Sequence, residues 1–379
     1  MKTPRDWVTR PLSQFVSLQR GFDLPTHARV PGSVPVLSSG GVNGSHNEAK
    51  VDGDNFVIGR ATNIGRPTWS SVPFWPLNTT LFVKDFLGNF PKFCFYWFLA
   101  TDLSGFDSGS VQPMLNRNYI ANIPVAIPSF VEQRRIAGVL GALDDKIESN
   151  QAVVTRAEQL IDEIAEQKAT DLPTVALSEM CSLSKSTWKP DASSNQTVHL
   201  FSLPAFDGGA APEQAAVSSI KSNKTLMNRP GILVSRLNPR ISRMWWVETD
   251  ATPVSVCSPE FAYLTAGDMH GLACTWLAVR SPGFRGEIVD RVTGTSGSHQ
   301  RVRPADLMTI GVPDYRSLAE HTQITVLTLL HLISARRQQS VTLAELRDAL
   351  LPELMSGRMR VDEAGRLVSE ALDEEVADV

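Results

Sequence analysis

The sequence lacks the features that mark several large classes of protein. Its 379 residues include only four cysteines, none of them in a Cys-x-x-Cys pair, so neither a zinc ribbon nor a secreted disulfide framework is indicated. The longest apolar runs, around 93–100 and 326–333, fall short of the roughly 20 residues that a membrane-spanning helix needs. These absences predict a cytoplasmic protein with no membrane role.

The signatures of common catalytic sites are missing as well. There is no Gly-Lys dipeptide and hence no P-loop, and no GxSxG, HExxH or GxGxxG occurs. No Pro-Pro pair is present, which excludes the Asn/Asp-Pro-Pro-aromatic motif of amino-methyltransferases. Asp162, Glu166 and Lys168 have a nuclease-like order but fall on a predicted coiled-coil helix. We therefore predict no catalytic residue, no metal site and no cofactor in this chain.

The composition is that of a globular protein, but its charge is unevenly distributed. The chain is 42% hydrophobic and 20% charged, with room for two or three domains and a formal net charge of −4. Residues 1–128 carry 11 Lys and Arg against 8 Asp and Glu, whereas residues 358–379 carry 3 against 7. A mildly basic first domain is thus masked by an acidic tail, and the net charge does not exclude a polyanionic partner.

One long segment has the pattern of a helix that packs along another helix. From Ser129 to about Gln167 there is no proline, and apolar residues recur at heptad spacing with Asn150 at one polar core site. Ser129 and Glu132 form an S-x-x-E capping box at its start. The predicted coiled-coil core is Ile136, Leu140, Leu143, Ile147, Val154, Ile161 and Ile164.

The two halves of the chain repeat the same order of motifs. A second helical segment runs from Ser317 to about Ser356, and its start at 317–324 matches 129–136 at an offset of 188 residues. Upstream, 233–236 matches 57–60 at an offset of 176, as loop insertions in the second copy would produce. The order is therefore globular domain, long helix, globular domain, long helix.

This order predicts an α/β fold of the mixed α+β kind. Short β-branched runs lie between Gly, Pro, Asn and Ser, while the aromatic segment 93–99 suits a short buried helix or a strand. We expect two similar domains joined by two long antiparallel coiled-coil helices, as a pseudo-twofold internal repeat. The predicted boundaries are 1–128 for domain one, 129–168 for the central helix, 169–314 for domain two, 315–357 for the second helix and 358–379 for a flexible acidic tail.

Such a geometry suits DNA as the ligand. A helix of about 39 residues extends roughly 58 Å at 1.5 Å per residue. Two similar readers at a fixed separation would address two half-sites displaced along a duplex.

Several strings, in this order, resemble the specificity (S) subunits of type I restriction-modification systems. They are PVLSSGGVNG at 35–44, VIGR at 57–60, FWPLNTT at 74–80, EQRRI at 132–136 and LLPELMSG at 350–357. The resemblance extends from about residue 8 to 361, and the order and duplication of the strings are more specific than any one of them.

The resemblance implies a function without catalysis. It implies two target recognition domains, each reading one half of a bipartite, asymmetric sequence in double-stranded DNA, joined by helices that act as a ruler. Two methyltransferase (M) subunits, which would bind S-adenosylmethionine, and restriction (R) subunits are the implied protein partners. One departure is Ala61-Thr62-Asn63, where relatives often have Lys-Gly-Ser, because it removes a positive charge.

Candidate DNA-contacting residues lie in loops after predicted strands, in a glycine turn, at a strand start and just before the final strand of each copy. Arginine can bind guanine and asparagine can bind adenine bidentately, although either can hold only a phosphate or remain a solvated loop residue. Glycine turns and polar strand starts have structural explanations as well. The candidates are Ser39, Gly41, Asn43, Arg60, Asn63, Arg66, Asn78, Gln112 and Arg117 in the first copy, and Lys189, Arg236, Asn238, Arg240, Arg243, Ser298, Gln300 and Arg301 in the second.

Apolar helix residues outside the coiled-coil seam are candidates for docking partner helices. A helix laid into each groove of the pair would give a four-helix arrangement. These partner-binding candidates are Val139, Leu160, Leu329, Leu346 and Leu354. Two alternatives to a DNA-reading subunit stay open: a coiled-coil adaptor that binds proteins, and a nuclease or methyltransferase with an unrecognised site.

Overall fold

Short strands and two long helices account for most of the structure, a computed structural model that describes residues 6–108, 114–249, 252–293 and 300–373. The chain forms two units. Unit 1 comprises Met1–Lys146 and Leu343–Val379, and unit 2 comprises Ile147–Thr342. Both long helices are therefore divided between the units.

The first half of the chain contains eleven strands among its described residues. They are β1 (Val8–Pro11), β2 (Ser17–Arg20), β3 (Val34–Ser38), β4 (Gly41–His46), β5 (Asn55–Gly59), β6 (Pro67–Ser70), β7 (Trp75–Pro76), β8 (Thr80–Asp85), β9 (Asp107–Ser108), β10 (Met114–Leu115) and β11 (Pro124–Ile127). The helices are α1 (Pro91–Ala100), α2 (Arg117–Ile120) and the long α3 (Phe130–Ala169).

The second half has the corresponding elements with two more strands in one sheet. Its strands are β12 (Thr174–Ala176), β13 (Ser182–Leu183), β14 (Thr187–Trp188), β15 (Thr197–Phe201), β16 (Glu213–Ala216), β17 (Lys224–Met227), β18 (Gly231–Ser235), β19 (Met244–Val247), β20 (Ser255–Cys257), β21 (Phe261–Thr265) and β22 (Gly311–Pro313). Its helices are α4 (Leu177–Met180), α5 (Leu203–Asp207), α6 (Met269–Arg280), α7 (Pro282–Asp290), α8 (Pro304–Met308) and α9 (Glu320–Met355), and α10 (Val361–Asp373) follows.

The sheets confirm the internal repeat. Unit 1 has an antiparallel four-stranded sheet of order β2-β8-β5-β6, and unit 2 has one of order β13-β21-β18-β19. A second sheet of unit 1 has the order β4-β3-β7, and the second sheet of unit 2 has the order β14-β17-β20-β15-β16. The three strands of unit 1 correspond to β16, β15 and β20, because β3 and β7 pair in parallel as β15 and β20 do. The central strands β5 and β18 are buried along their whole length, which explains why their apolar residues form a run rather than alternate.

The aromatic segment of the first half is a helix. Pro91 occupies the first turn of α1, where its missing N–H costs no hydrogen bond, and 93–98 are all buried. A run buried on all sides has no periodicity by which sequence alone separates a helix from a strand.

The two long helices run antiparallel within each unit. In unit 1, Asp144 of α3 pairs with Arg347 of α9 at 2.9 Å. In unit 2, Asn150 Nδ2 donates to Gln339 Oε1 at 2.6 Å, and Asn150 is buried as predicted. The capping contact is also present, because Glu132 N donates to Ser129 Oγ at 3.3 Å.

The predicted core of α3 is buried at most positions. Ile136, Leu140, Leu143, Val154 and Ile161 are buried. Ile147 and Ile164, which were predicted to be core residues, are only half-buried. Ala165, next to Ile164, is fully buried. A strict heptad drifts relative to 3.6 residues per turn, so the buried face moves off the predicted positions along the helix.

The helical part of the repeat has a different register from the predicted one. Gln133 Nε2 donates to Pro128 O and Gln323 Nε2 to Leu318 O, five residues back in each case, so the structural offset is 190 rather than 188. Ile324, matched to Ile136 at the predicted offset, is 46% exposed. The buried counterpart at the structural offset is Val326, and the matching S-x-x-E pattern at 317–320 is a coincidence of local capping chemistry.

The acidic tail contains a helix, contrary to the prediction of a flexible segment. Val361, Ala364 and Val368 of α10 are buried. Their spacing of three and four residues places them on one helical face, which the acidic composition of the segment obscures. Among the described residues, no helix is long and apolar enough to cross a membrane.

Candidate nucleic-acid interface

The arginine that follows the central strand of unit 1 is bonded to the surrounding main chain. The backbone N–H of Arg60 donates to Thr79 O at 2.9 Å. Its guanidinium donates from Nε to Leu115 O at 3.3 Å and from Nη1 to Asn78 O at 3.1 Å. Arg60 thereby joins the end of β5 to the loop before β8 and to β10.

The same arrangement recurs in unit 2. The backbone N–H of Arg236 donates to Glu260 O at 2.8 Å. Its Nε donates to Val302 O at 3.1 Å and its Nη1 to Pro259 O at 2.9 Å. We call these two sets of bonds the arginine braces of unit 1 and unit 2. Each brace fixes a loop at the end of a central strand.

Burial lowers the pKa of both brace arginines. For Arg60 the positive charge of Arg20 lowers the pKa further. For Arg236 the carboxylate of Glu260 opposes the effect of burial, while Arg301 adds to it. Both guanidinium groups are therefore partly removed from water.

The loop after each brace contains an asparagine in the left-handed region. Asn63 has φ 49° and Asn238 has φ 47°, a conformation that asparagine adopts more readily than most residues. Asn63 Nδ2 donates to Ser39 O at 3.1 Å, and the backbone N–H of Asn238 donates to Gln300 O at 2.9 Å. Both asparagines thus shape the loop, and their predicted base contacts stay a prediction.

The turn between β3 and β4 is only partly available to a ligand. Ser39 is 6% exposed and its hydroxyl donates to Thr79 O, so the structure contradicts an exposed role for this side chain. Gly41, with φ 96°, has open space where a Cβ would lie. Asn43 is exposed, and its backbone and side-chain oxygens accept from Arg29.

A groove of about 700 Å³ lies beside the arginine brace of unit 1. Arg20 Nε and Arg60 Nη1 donate to the same acceptor, Asn78 O, at 3.4 and 3.1 Å. Arg117 Nη1 donates to Leu18 O at 3.1 Å, and Asn78 Nδ2 donates to Asp23. The polar residues that line the groove are Gln19, Arg20, Asp23, Arg60, Asn116 and Arg117.

Sequence reasoning missed four of the six polar residues that line this groove. Gln19, Arg20, Asp23 and Asn116 were absent from the predicted set, although Arg60 and Arg117 were in it. The available signal was the match of Ser17-Leu18 to 182–183, which is followed two residues later by a basic residue in each half, Arg20 and Lys185.

Two candidate arginines of unit 2 are engaged by carboxylates. Arg243 makes a bidentate pair with Asp207 at 2.7 and 2.9 Å, a hydrogen bond that lowers the pKa of Asp207. Arg301 makes a bidentate pair with Glu260 at 3.1 and 2.7 Å. A DNA contact by either arginine would have to share the guanidinium with its carboxylate.

The remaining candidates are either accessible to solvent, at least in part, or outside the residues that the structure describes. Arg66, Lys189 and Arg240 are exposed, and Gln300 is half-buried. Gln112 and Ser298 lie outside the described residues. Their roles in DNA contact stay predictions.

The predicted partner-binding residues are less accessible than expected. Leu354 is 0% exposed, so its assignment to an exposed docking surface is wrong, because the helix end packs into the core of its unit. Val139, Leu329 and Leu346 are half-buried, and a Cβ added at Gly365 of α10 would lie 3.8 Å from Val139. Leu160 is 37% exposed.

No group of three or more His, Cys, Asp or Glu side chains in the described part of the chain could hold a metal ion. The four cysteines are buried and unpaired. The chemistry that the described interface offers is therefore hydrogen bonding and positive charge.

Comparison with known proteins finds a family model that matches the first part of the chain and solved structures that resemble its fold. Residues 4–159 match the family model described as the type I restriction modification DNA specificity domain. None of the curated proteins compared with the chain matches it.

Solved structures of S subunits resemble the chain at low identity. The type I restriction-modification S subunit of M. genitalium is 14% identical, with 93% of this chain and 98% of that chain covered and a TM-score of 0.59. The HsdS subunit of Thermoanaerobacter tengcongensis is 16% identical, covers 97% and 98% of the two chains and has a TM-score of 0.31. The first of these likenesses establishes the fold.

Proposed function

We propose that the protein is the DNA-recognition subunit of a type I restriction-modification complex, because residues 4–159 match the type I restriction modification DNA specificity domain and the chain has the fold of a solved type I S subunit. Each globular domain reads one half of a bipartite, asymmetric target in double-stranded DNA. The domains are residues 1–128 and 169–314, with the long helices between and after them.

The recurrence of the arginine brace supports this proposal. Arg60 and Arg236 hold equivalent loops by the same three kinds of bond, while the side chains around the two loops differ. Unit 1 has the groove with Arg20 and Arg117 beside its brace, and unit 2 has the Arg301–Glu260 pair beside its own. Equivalent scaffolds with different surfaces suit two readers of different half-sites.

The protein partners in this proposal are methyltransferase subunits, two per chain, and restriction subunits in complexes that also cleave. The chain itself performs no chemistry, and S-adenosylmethionine is bound by the methyltransferase partner. The accessible helix surface around Leu160 and the half-buried Val139, Leu329 and Leu346 are the proposed docking positions.

A methylation assay tests the proposal. The purified chain alone should methylate no DNA, whereas the chain with its methyltransferase partner and S-adenosylmethionine should modify one bipartite motif. Methyl-base mapping that finds the same modified motif without this chain would refute a recognition role. Modification by the chain alone would instead support an enzyme with an unrecognised site.

A domain exchange tests the division of labour. Replacement of residues 1–128 by the corresponding domain of another S subunit should change one half of the modified motif and leave the other half intact. A change in both halves would contradict independent reading by the two domains.

A further inference from the structure

The groove of unit 1 gathers positive charge that the protein only partly neutralises. Arg20 and Arg60 donate to one shared carbonyl, Asn78 O, so two guanidinium groups lie close together. Burial lowers the pKa of Arg60, and Arg20 lowers it further. Asp23 is the one carboxylate of the groove lining, and it accepts from the amide of Asn78. Three arginines against one carboxylate leave a net positive groove.

Main-chain carbonyls hold the guanidinium groups through a minority of their donors, as far as the described residues show. An arginine has five N–H donors in a planar fork. Arg20 uses one of them on Asn78 O, Arg117 uses one on Leu18 O, and Arg60 uses two. The carbonyl contacts orient the forks without neutralising them, because carbonyl groups carry no net charge. Such a site is preorganised for an anion with several oxygens.

The backbone beside the groove is closely packed. A Cβ added at Gly21 would lie 2.2 Å from Leu77 O and 2.6 Å from Pro76 O. Glycine at this position lets the chain after Arg20 pass against β7, which fixes where the strand ends and where Arg20 leaves the sheet. The position of Arg20 therefore follows from backbone packing.

The second half also has basic residues beside its brace, one of them at the position equivalent to Arg20. β13 pairs with β21 as β2 pairs with β8, so Lys185 is the counterpart of Arg20. Val302 receives the brace of Arg236 as Leu115 receives that of Arg60, so Arg303 is the counterpart of Asn116. Lys185 and Arg303 are both exposed. Positive charge beside the brace is thus a shared property of the two units.

We propose that the groove lined by Arg20, Arg60 and Arg117 binds one backbone phosphate of the DNA duplex. Arg20 and Arg117 supply charge-assisted hydrogen bonds to the phosphate oxygens, and Arg60 is a positioning residue that holds the groove in shape. The proposal rests on the proposed function, since it names the part of the DNA that this surface contacts. A phosphate contact fixes the register of the reader on the duplex and carries no sequence information.

Salt dependence of DNA binding tests the proposal with the chain in complex with its methyltransferase partner. Each phosphate contact adds about 0.9 to the slope of log K against log salt concentration. The Arg20→Gln, Arg117→Gln double variant should reduce the magnitude of the slope by about 0.9, because one phosphate contact is lost. Arg20→Gln and Arg117→Gln alone should each reduce it by part of that amount, whereas Arg20→Lys and Arg117→Lys should keep it. Arg10→Gln is the matched control, because Arg10 is exposed in the same unit and outside the groove. Unchanged slopes in both glutamine variants would overturn the proposal.

Modified duplexes provide a second readout. A neutral methylphosphonate is placed at each linkage of the target in turn. At one linkage the replacement should weaken DNA binding by the wild type and leave DNA binding by the Arg20→Gln, Arg117→Gln double variant unchanged. Inorganic phosphate alone, titrated at constant ionic strength, probes the other source of the same chemistry. Saturable phosphate binding that Arg20→Gln abolishes, with no effect of phosphate or of Arg20→Gln on the affinity for DNA, would assign the groove to free phosphate and refute the DNA contact.

These outcomes separate the inference from the function on which it rests. Wild-type complex that shows no preference for any bipartite duplex would contradict the proposed function. Wild-type complex that binds its target specifically, together with variants whose salt slopes equal that of the wild type, would contradict only the phosphate site.

Discussion

At the scale of single residues, the arginine braces give Arg60 and Arg236 a structural role in place of the predicted contact with a base. The sequence identifies Arg60 and Arg236 by their place after a strand, but their bonding partners are carbonyl groups of residues 18 to 66 positions away. No sequence spacing encodes such partners, because strand pairing brings them together. Arg20 escaped prediction for the same reason, since its neighbour across the sheet is Leu81.

Removal of a brace should disturb one reader. Arg60→Gln loses two hydrogen bonds from a charged donor, so the free energy of unfolding should fall by about 1–3 kcal/mol, discounted for partial exposure. The melting temperature measures this change, and methyl-base mapping should show loss of fidelity in one half-site only. Arg10→Gln is the control, because Arg10 is exposed and is not a DNA-contacting candidate, and it should change the free energy by less than about 0.5 kcal/mol. Equal losses in both variants would show that the brace adds nothing.

The buried cysteines predict a pH dependence of stability at high pH. Burial raises the pKa of Cys181 and of Cys257 to about 12 and that of Cys274 to about 11, and it also raises that of Cys94. A thiol whose pKa is higher in the folded state gives stability that is present below its unfolded pKa and is lost as the pH rises towards the folded value. The free energy of unfolding should therefore fall between about pH 9 and pH 11.

Thiol labelling with increasing denaturant is the second measurement of this prediction. In the native protein at pH 8 the four thiols should react far more slowly than a free cysteine, and labelling should follow global unfolding. Cys274→Ala should reduce the loss of stability at high pH. Fast labelling of native protein would contradict the burial of these side chains.

At the scale of elements, the helices were predictable in extent and less so in register. The capping residues and the proline-free heptads define α3, which begins at Phe130 and ends at Ala169. The offset between α3 and α9 was wrong by two residues because two S-x-x-E patterns aligned better than the buried faces do. The side-chain bonds of Gln133 and Gln323, which decide the register, leave no mark in hydrophobic periodicity.

The helix α10 should resist proteolysis in the folded protein. Val368→Asp places a charge at a site that is 4% exposed, so local opening should become easier by about 1.4 kcal/mol or more, which is a tenfold change in population. Trypsin cleavage after the exposed Arg366, followed by mass spectrometry, measures the opening. Ser369→Asp is the matched control on the exposed face. Rapid cleavage of the wild type at Arg366 would support the flexible tail expected from composition.

At the scale of the whole molecule, the division of both helices between the units suggests how spacer length is set. The boundaries fall after Lys146 and after Thr342, close to the buried Asn150 and its partner Gln339. Helix pairing within each unit is kept only if both helices change length together. We infer that the length of the helix pair determines the number of base pairs between the half-sites.

A matched insertion tests this inference. Seven residues added after Lys146 and seven added after Thr342 lengthen each helix by about 10.5 Å. The modified motif should keep both half-sites and gain about three base pairs of spacer, at about 3.4 Å per base pair. Seven residues inserted in α3 alone should impair pairing of α3 with α9, because the contacts in unit 1 and those in unit 2 can then no longer form at the same time. An unchanged spacer in the matched variant would refute the ruler.

The repeat itself was predictable from sequence, since the order of the motifs and of the Gly- and Pro-rich turns is kept although the two halves differ at most positions. The extra strands β14 and β17 of unit 2 were not, because short two- to four-residue strands have too little periodicity to be distinguished from loop.

Unit 1 is assembled from the two ends of the chain, and this affects the order in which the protein is made. Ile136, Leu140 and Leu143 leave the ribosome about 200 residues before Leu350 and Leu354, which are buried in the same unit. Unit 2 is continuous in sequence and can be completed during synthesis. The apolar face of the first half of α3 therefore stays uncovered until the second half of α9 has been synthesised, and chains truncated before Leu343 would expose it.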